Sequence, residues 1–123
     1  MEKTILLYNL KNDKGVQIRR ICSPLHISCR DVEPSEYMEL IGALAGMPGF
    51  PRRQQSVSPV TFSEEMMIFC GFSNDDIYQF LAQYKAAGIT PVWLKASLTP
   101  NNIQWNSIEL HKELSEEHRM MNK

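Results

Sequence analysis

Met66-Met67-Ile68-Phe69-Cys70 is an unbroken run of five apolar residues, set between Glu64-Glu65 and Gly71. A run with no polar interruption marks a strand buried on both faces. Downstream, Gly71 to Asp75 is a turn, and Ser73 or Asn74 suits a helix N-cap. Ile77, Phe80, Leu81 and Tyr84 then fall at i, i+3, i+4 and i+7, the stripe of a helix docked on a sheet, and Gly88 closes it. Strand, turn, helix is the unit from which the rest of the chain is read.

Continuing downstream, Ile89 to Leu94 reads as the fourth strand. Pro91 cannot donate to a ladder, so it belongs at a strand start or on an edge. Lys95 to Asn102 is a loop. Asn106 or Ser107 caps a last helix that runs to about Met120, docked by Ile108, Leu110, Leu114 and Met121. Upstream, Thr4 to Tyr8 is a second continuous apolar run, the first strand. Asn9 to Gly15 is a polar turn. Ile18, Ile21, Cys22 and Leu25 give a helix ending near Ser23, because Pro24 disfavours helical geometry before it. Ile27 to Val32 is a weaker strand. Pro34 opens another helix, with Tyr37, Leu40, Ile41 and Leu44 as its stripe and Gly46 as its stop. Met47 to Ser63 has three prolines and no period, and reads as a long irregular loop.

This order predicts an α/β fold over residues 1–123 as one domain. Its core is a four-stranded, mainly parallel sheet built from alternating strand–helix units, with helices on its faces. In such a sheet a ligand sits beyond the carboxyl ends of the strands. The loops Asn9 to Gly15, Gly71 to Asp75 and Lys95 to Asn102 are expected to meet there.

Thirteen basic and fourteen acidic residues give a net charge of −1. Nucleic-acid binding through the backbone needs a cationic excess, so it is not expected. No apolar stretch is long enough for a bilayer, and the short run at the start lacks the length and cleavage site of a signal peptide. A cytoplasmic protein with no membrane contact is the expectation. Cys22, Cys29 and Cys70 are odd in number and form no CxxC, so each reads as a small buried hydrophobe rather than part of a disulfide framework or zinc site. His111 and His118 are two helical turns apart, about 10 Å, too far for one metal. No metal site and no cofactor fingerprint is found: GxGxxG, GxxxxGK[ST] and GxSxG are all missing.

The candidate ligand residues cluster late. Lys95 follows Val92-Trp93-Leu94, so it should lie at a strand's carboxyl end and offer an ammonium to a carboxylate or phosphate. The plainer alternative is an ion pair with Glu64, Glu65 or Asp31. Thr99, Asn101 and Asn102 offer hydroxyl and amide groups beside it, or else bond their own turn. Trp105 can wall a ligand site, or simply pack the last helix. In the long loop, Phe50, Arg52 and Arg53 are the candidate contacts for a protein partner.

Lys95-Ala96-Ser97-Leu98-Thr99-Pro100-Asn101-Asn102 followed by Trp105 resembles the K-A-x-L-T-P-x-N-x-x-W signature of a small bacterial family of unknown function. Glu64-Glu65-Met66, Gly71-Phe72 and Lys85 to Ile89 match as well, and the likeness is looser before residue 64. Ser97 stands where an apolar residue is expected. The resemblance implies no catalytic role. The resulting expectation is a non-catalytic binding or regulatory module for a small anionic metabolite or a protein partner, with room for a homodimer. The alternative is a small enzyme using Lys95 for acid–base work or anion positioning.

Overall fold

The computed structural model describes residues 2–52 and 60–121. Strand β1 (Thr4–Tyr8) leads into helix α1 (Asp13–Cys22), a 3-10 turn at Ser23–Leu25 and strand β2 (Ser28–Asp31). A 3-10 turn at Pro34–Glu36 and a short helix α2 (Ile41–Leu44) follow. Then come β3 (Met66–Cys70), α3 (Asn74–Ala86), β4 (Leu94–Ser97), a 3-10 turn at Asn102–Gln104 and α4 (Ser107–Met121).

The sheet order is β2-β1-β3-β4. β1 pairs with β2 in parallel and β3 with β4 in parallel, but β1 and β3 are antiparallel along their whole length, Thr4 opposite Cys70 and Tyr8 opposite Met66. The sheet is therefore mixed, not mainly parallel. Each helix crossover fixes direction only inside its own strand–helix–strand unit. The segment between β2 and β3 is not such a crossover, so nothing obliges β3 to run with β1.

That segment departs from its predicted helix for a visible reason. Tyr37 gives its carbonyl to the Ser107 N–H (3.1 Å), and the Ile41 N–H bonds the Trp105 carbonyl (2.8 Å). Leu40 bridges Asn106 in antiparallel fashion with extended backbone. These bonds use groups a continuous helix would spend on its own i−4 partners. The apolar stripe still reaches its target, since Tyr37, Ile41 and Leu44 are all buried.

Both faces of the sheet are covered. α1 and α3 lie on one face, over Ile5, Leu7, Met67 and Phe69. On the other face Leu6, Tyr8, Met66, Ile68 and Cys70 pack with Tyr37, α2 and Leu110 of α4. Period-two alternation explains the split. α1 is capped by Asn12, whose Oδ1 accepts from the Gly15 N–H at 3.0 Å. α3 carries a reciprocal box of Ser73 and Asp76. Asn106 and Glu109 form another at α4, each side chain accepting the other's backbone N–H.

Candidate functional site

The antiparallel seam decides where sites lie. The carboxyl ends of β1 and β2 point to one pole, and those of β3 and β4 to the opposite pole. The loop Asn9 to Gly15 therefore does not meet the loops at 71–75 and 98–102, and the single predicted crevice becomes two. Each pole is a switch point: after β1 the chain turns to the α1/α3 face and after β2 to the other, and β3 and β4 repeat this. At the first pole a cavity of about 260 Å³ is lined by Asn9, Lys11, Asn12, Asp31 and Glu33. Lys11 there is paired with Glu33.

Lys95 is not at a strand end. The ladder begins at Leu94, after Pro91 and an exposed Trp93, so Lys95 is the second residue of β4 and stands opposite Met67. Its side chain enters a cavity of about 300 Å³ under the end of α3, bounded by Met67, Leu81, Tyr84, Ile89 and Val92. Lys95 Nζ donates to the Val92 carbonyl at 2.5 Å. Beside it, Lys14 Nζ donates to the Pro91 carbonyl (3.0 Å) and to Glu65 Oε1 (2.6 Å). Burial first, and the neighbouring Lys14 charge second, hold the Lys95 ammonium below its ordinary range. Lys85 also lines this cavity. Tyr84 is committed, its hydroxyl donating to the Thr90 carbonyl at 2.6 Å.

The other predicted ligand residues are elsewhere. Thr99 and Asn102 lie past the end of β4, at the opposite pole. The Thr99 N–H donates to Asn102 Oδ1 (2.8 Å), and the Asn102 N–H donates to Thr99 Oγ1 (3.1 Å). Asn102 Nδ2 donates to the Ser97 carbonyl at 2.8 Å. The two side chains thus hold their own turn. Asn101 is exposed on it. Trp105 packs against the α2/α4 core and lines a shallow cavity with Glu109, Lys112, Glu113 and Glu116. The structure does not bring Trp105, Thr99 or Asn102 to Lys95.

In the long segment, Phe50 turns inward against Gly42, where an added Cβ would meet its ring at 3.0 Å. Arg52 bridges Glu36 (2.6 Å) and Glu39, the latter only 4% exposed. Arg53 lies outside the described residues. Further on, Phe62 stacks between Tyr37 (4.7 Å) and His111 (3.8 Å), and His111 Nε2 lies 2.9 Å from Glu64 Oε1. His111 is therefore part of an aromatic stack.

Lys14 and Glu65, which complete the Lys95 neighbourhood, were not singled out as one group by sequence. The only available signal was Lys14 at the start of α1, opposite two acidic residues entering β3. Among the described residues no group of three or more His, Cys, Asp or Glu is placed to hold a metal, and no helix is long and apolar enough to cross a membrane.

No curated protein and no solved structure matches the chain. Residues 65–121, which take in the whole second strand–helix–strand unit and α4, match a family described as a domain of unknown function (DUF3783).

Proposed function

We propose that this chain is a non-catalytic binding module for a small anionic ligand, seated in the cavity that Lys95 lines. One observation carries the reading: two ammonium groups, Lys95 and Lys14, converge on adjacent backbone carbonyls beside a largely apolar cavity, with Glu65 as the paired carboxylate. A ligand carboxylate or phosphate would meet Lys95, whose charge is only partly solvated, while an apolar body fills the space against Leu81 and Ile89. Thr99, Asn101, Asn102 and Trp105 take no part in this version.

The test is a thermal shift of the wild type and Lys95→Met against small carboxylates and phosphates. A compound that raises the wild-type melting temperature by several degrees and leaves the variant unmoved supports the site. Equal shifts in both proteins, or none in either, sink it.

A second reading, a small enzyme using Lys95, is favoured by one observation: the Lys95 amine lies in a largely apolar pocket beside a second amine, Lys14, surroundings that loosen its hold on a proton. Such an amine is a nucleophile toward carbonyl compounds. Borohydride reduction in the presence of a short 2-oxo acid would leave a stable adduct on Lys95, read by peptide mass, and no adduct would remove this version. A protein partner at Phe50 and Arg52 has less support, because both side chains are engaged within the chain. Taken with the signature spanning Lys95 to Trp105, our reading is of one α/β domain from a bacterial family, working in the cytoplasm without nucleic acid.

A further inference from the structure

At the first pole the chain leaves β1 and β2 toward opposite faces, and the cavity of about 260 Å³ lies between the two exits. One wall is the loop from Asn9 to Asn12, the other the stretch from Asp31 to Pro34, with Leu7 and Val32 as its apolar lining. The Val32 N–H bonds the Leu7 carbonyl at 2.9 Å, so the second wall is pinned to the sheet. Asp31 ends β2 and Glu33 has extended backbone. Two residues apart on an extended chain, the two carboxylates sit on one side of it and line the same cavity.

The two carboxylates differ in what they already hold. Asp31 Oδ2 accepts from Arg19 Nη2 at 2.6 Å. Asp31 Oδ1 is buried and has no hydrogen-bond partner among the described residues. A carboxylate oxygen shut away from water without a donor is uncommon and calls for one. Arg19 already balances the Asp31 charge, so what is missing is a hydrogen bond and not a cation. Glu33 is held by Lys11 at the rim, where the two side chains are 45% and 60% exposed. An exposed pair of this kind parts easily. An anion would meet Asp31 and Glu33 here. A cation would find Asp31 neutralised by Arg19 and Glu33 by Lys11. The cavity therefore suits a neutral ligand that brings hydroxyl donors. Its volume falls just short of the roughly 300 Å³ at which pockets for drug-sized ligands begin, which fits a single sugar ring.

We propose that this cavity binds the vicinal diol of a ribose-type sugar, one hydroxyl donating to Asp31 Oδ1 and its neighbour to Glu33. The ligand satisfies the buried oxygen, replaces Lys11 on Glu33 and lays its C–H groups against Leu7 and Val32. An acid at the end of the second strand of a parallel strand–helix–strand unit is where dinucleotide folds take ribose hydroxyls, and Asp31 has that place after β1 and α1. The loop before α1, Asn9-Leu10-Lys11-Asn12, has no glycine, so a pyrophosphate finds no cradle there and the sugar alone is the ligand group. The site is distinct from the Lys95 cavity, with which it shares no lining residue. A free pentose and a nucleoside both carry the diol, and the test separates them.

The experiment titrates the full, isotope-labelled chain with D-ribose, 2-deoxyribose, adenosine and 2′-deoxyadenosine, and follows the backbone amide shifts by NMR. Expected is saturable movement of the amides from Asn9 to Asn12 and from Asp31 to Glu33 with a diol-bearing compound. Its deoxy partner should bind at least about tenfold more weakly, the loss expected for one missing hydrogen bond to a charged group. Binding of D-ribose but not adenosine identifies a free pentose as the source, and tighter binding of adenosine identifies a nucleoside. This comparison needs no variant. Asp31→Ala should abolish the movement. No saturable shift with either diol, equal binding of the deoxy compounds, or shifts confined to amides away from the cavity would overturn the assignment. So would an Asp31→Ala protein, folded by circular dichroism, that binds as the wild type does.

Discussion

At Lys95 two demands conflict: a strand position over an apolar core, and a charge that wants water. The side chain resolves this by donating to the Val92 carbonyl while Lys14 takes the nearby carboxylate. Burial first, and the Lys14 charge second, still leave its proton affinity below the ordinary 10.5. A group that holds its proton less tightly when folded than when unfolded adds stability as pH rises between the two values. Wild-type stability relative to Lys95→Met should therefore climb with pH on the approach to 10.5 and level off above it. Urea unfolding of both proteins from pH 7 upward measures this, and a constant difference would contradict it. The sequence does single out Lys95, because an ionisable residue after Val92-Trp93-Leu94 is conspicuous. It does not reveal the partners. Lys14 and Glu65 are far from it in sequence, and only the folded sheet brings them together. At Asn9, backbone in the left-handed region (φ 59°) is combined with two side-chain donations, to the Phe62 and Glu64 carbonyls, both 2.9 Å. Asn9→Gly keeps the backbone and loses both bonds, so it should cost about 2 kcal/mol by chemical denaturation. A neutral outcome would mean that water replaces them.

Among the elements, α1 starts under the tightest constraint. A Cβ on Gly15 would stand 1.7 Å from the Leu10 carbonyl oxygen, a backbone atom that cannot swing away. Gly15→Ala should cost about 3 kcal/mol or stop folding, despite alanine's better helix propensity, as seen by circular dichroism during urea unfolding. α3 offers a milder case. Ser73 and Asp76 satisfy each other's backbone N–H, so Ser73→Ala should cost about 1 kcal/mol in the same assay. Elements with a full stripe and a capping residue, α1, α3 and α4, were legible from sequence. β4 was legible as a strand but not in its bounds, since Ile89 and Val92 are buried without joining the ladder. The predicted helix from Pro34 was not legible as two short pieces. Its stripe is genuine, yet its backbone is claimed by Trp105 and Ser107, which lie far along the chain.

For the molecule as a whole, the β1–β3 seam is the feature that local patterning could not reveal. Strand runs and helix stripes specify each strand–helix–strand unit, and the long connection between the units leaves their relative direction open. The seam also sets the stability gradient. Met66 to Cys70 and Ile5 to Tyr8 are fully enclosed, whereas β2 and β4 are edges with partly exposed residues. Amide exchange should be slowest in β1 and β3, with β2 and β4 opening at lower free energy, and equal protection across all four strands would be the contrary result. Because β4 runs from the cavity under the end of α3 to the turn at Thr99–Asn102, the two lie about one strand length, roughly 15 Å, apart. A dye on a cysteine introduced at exposed Asn101 would thus sit clear of that cavity while remaining close enough for energy transfer from Trp93 and Trp105, giving the sheet a ready-made optical ruler.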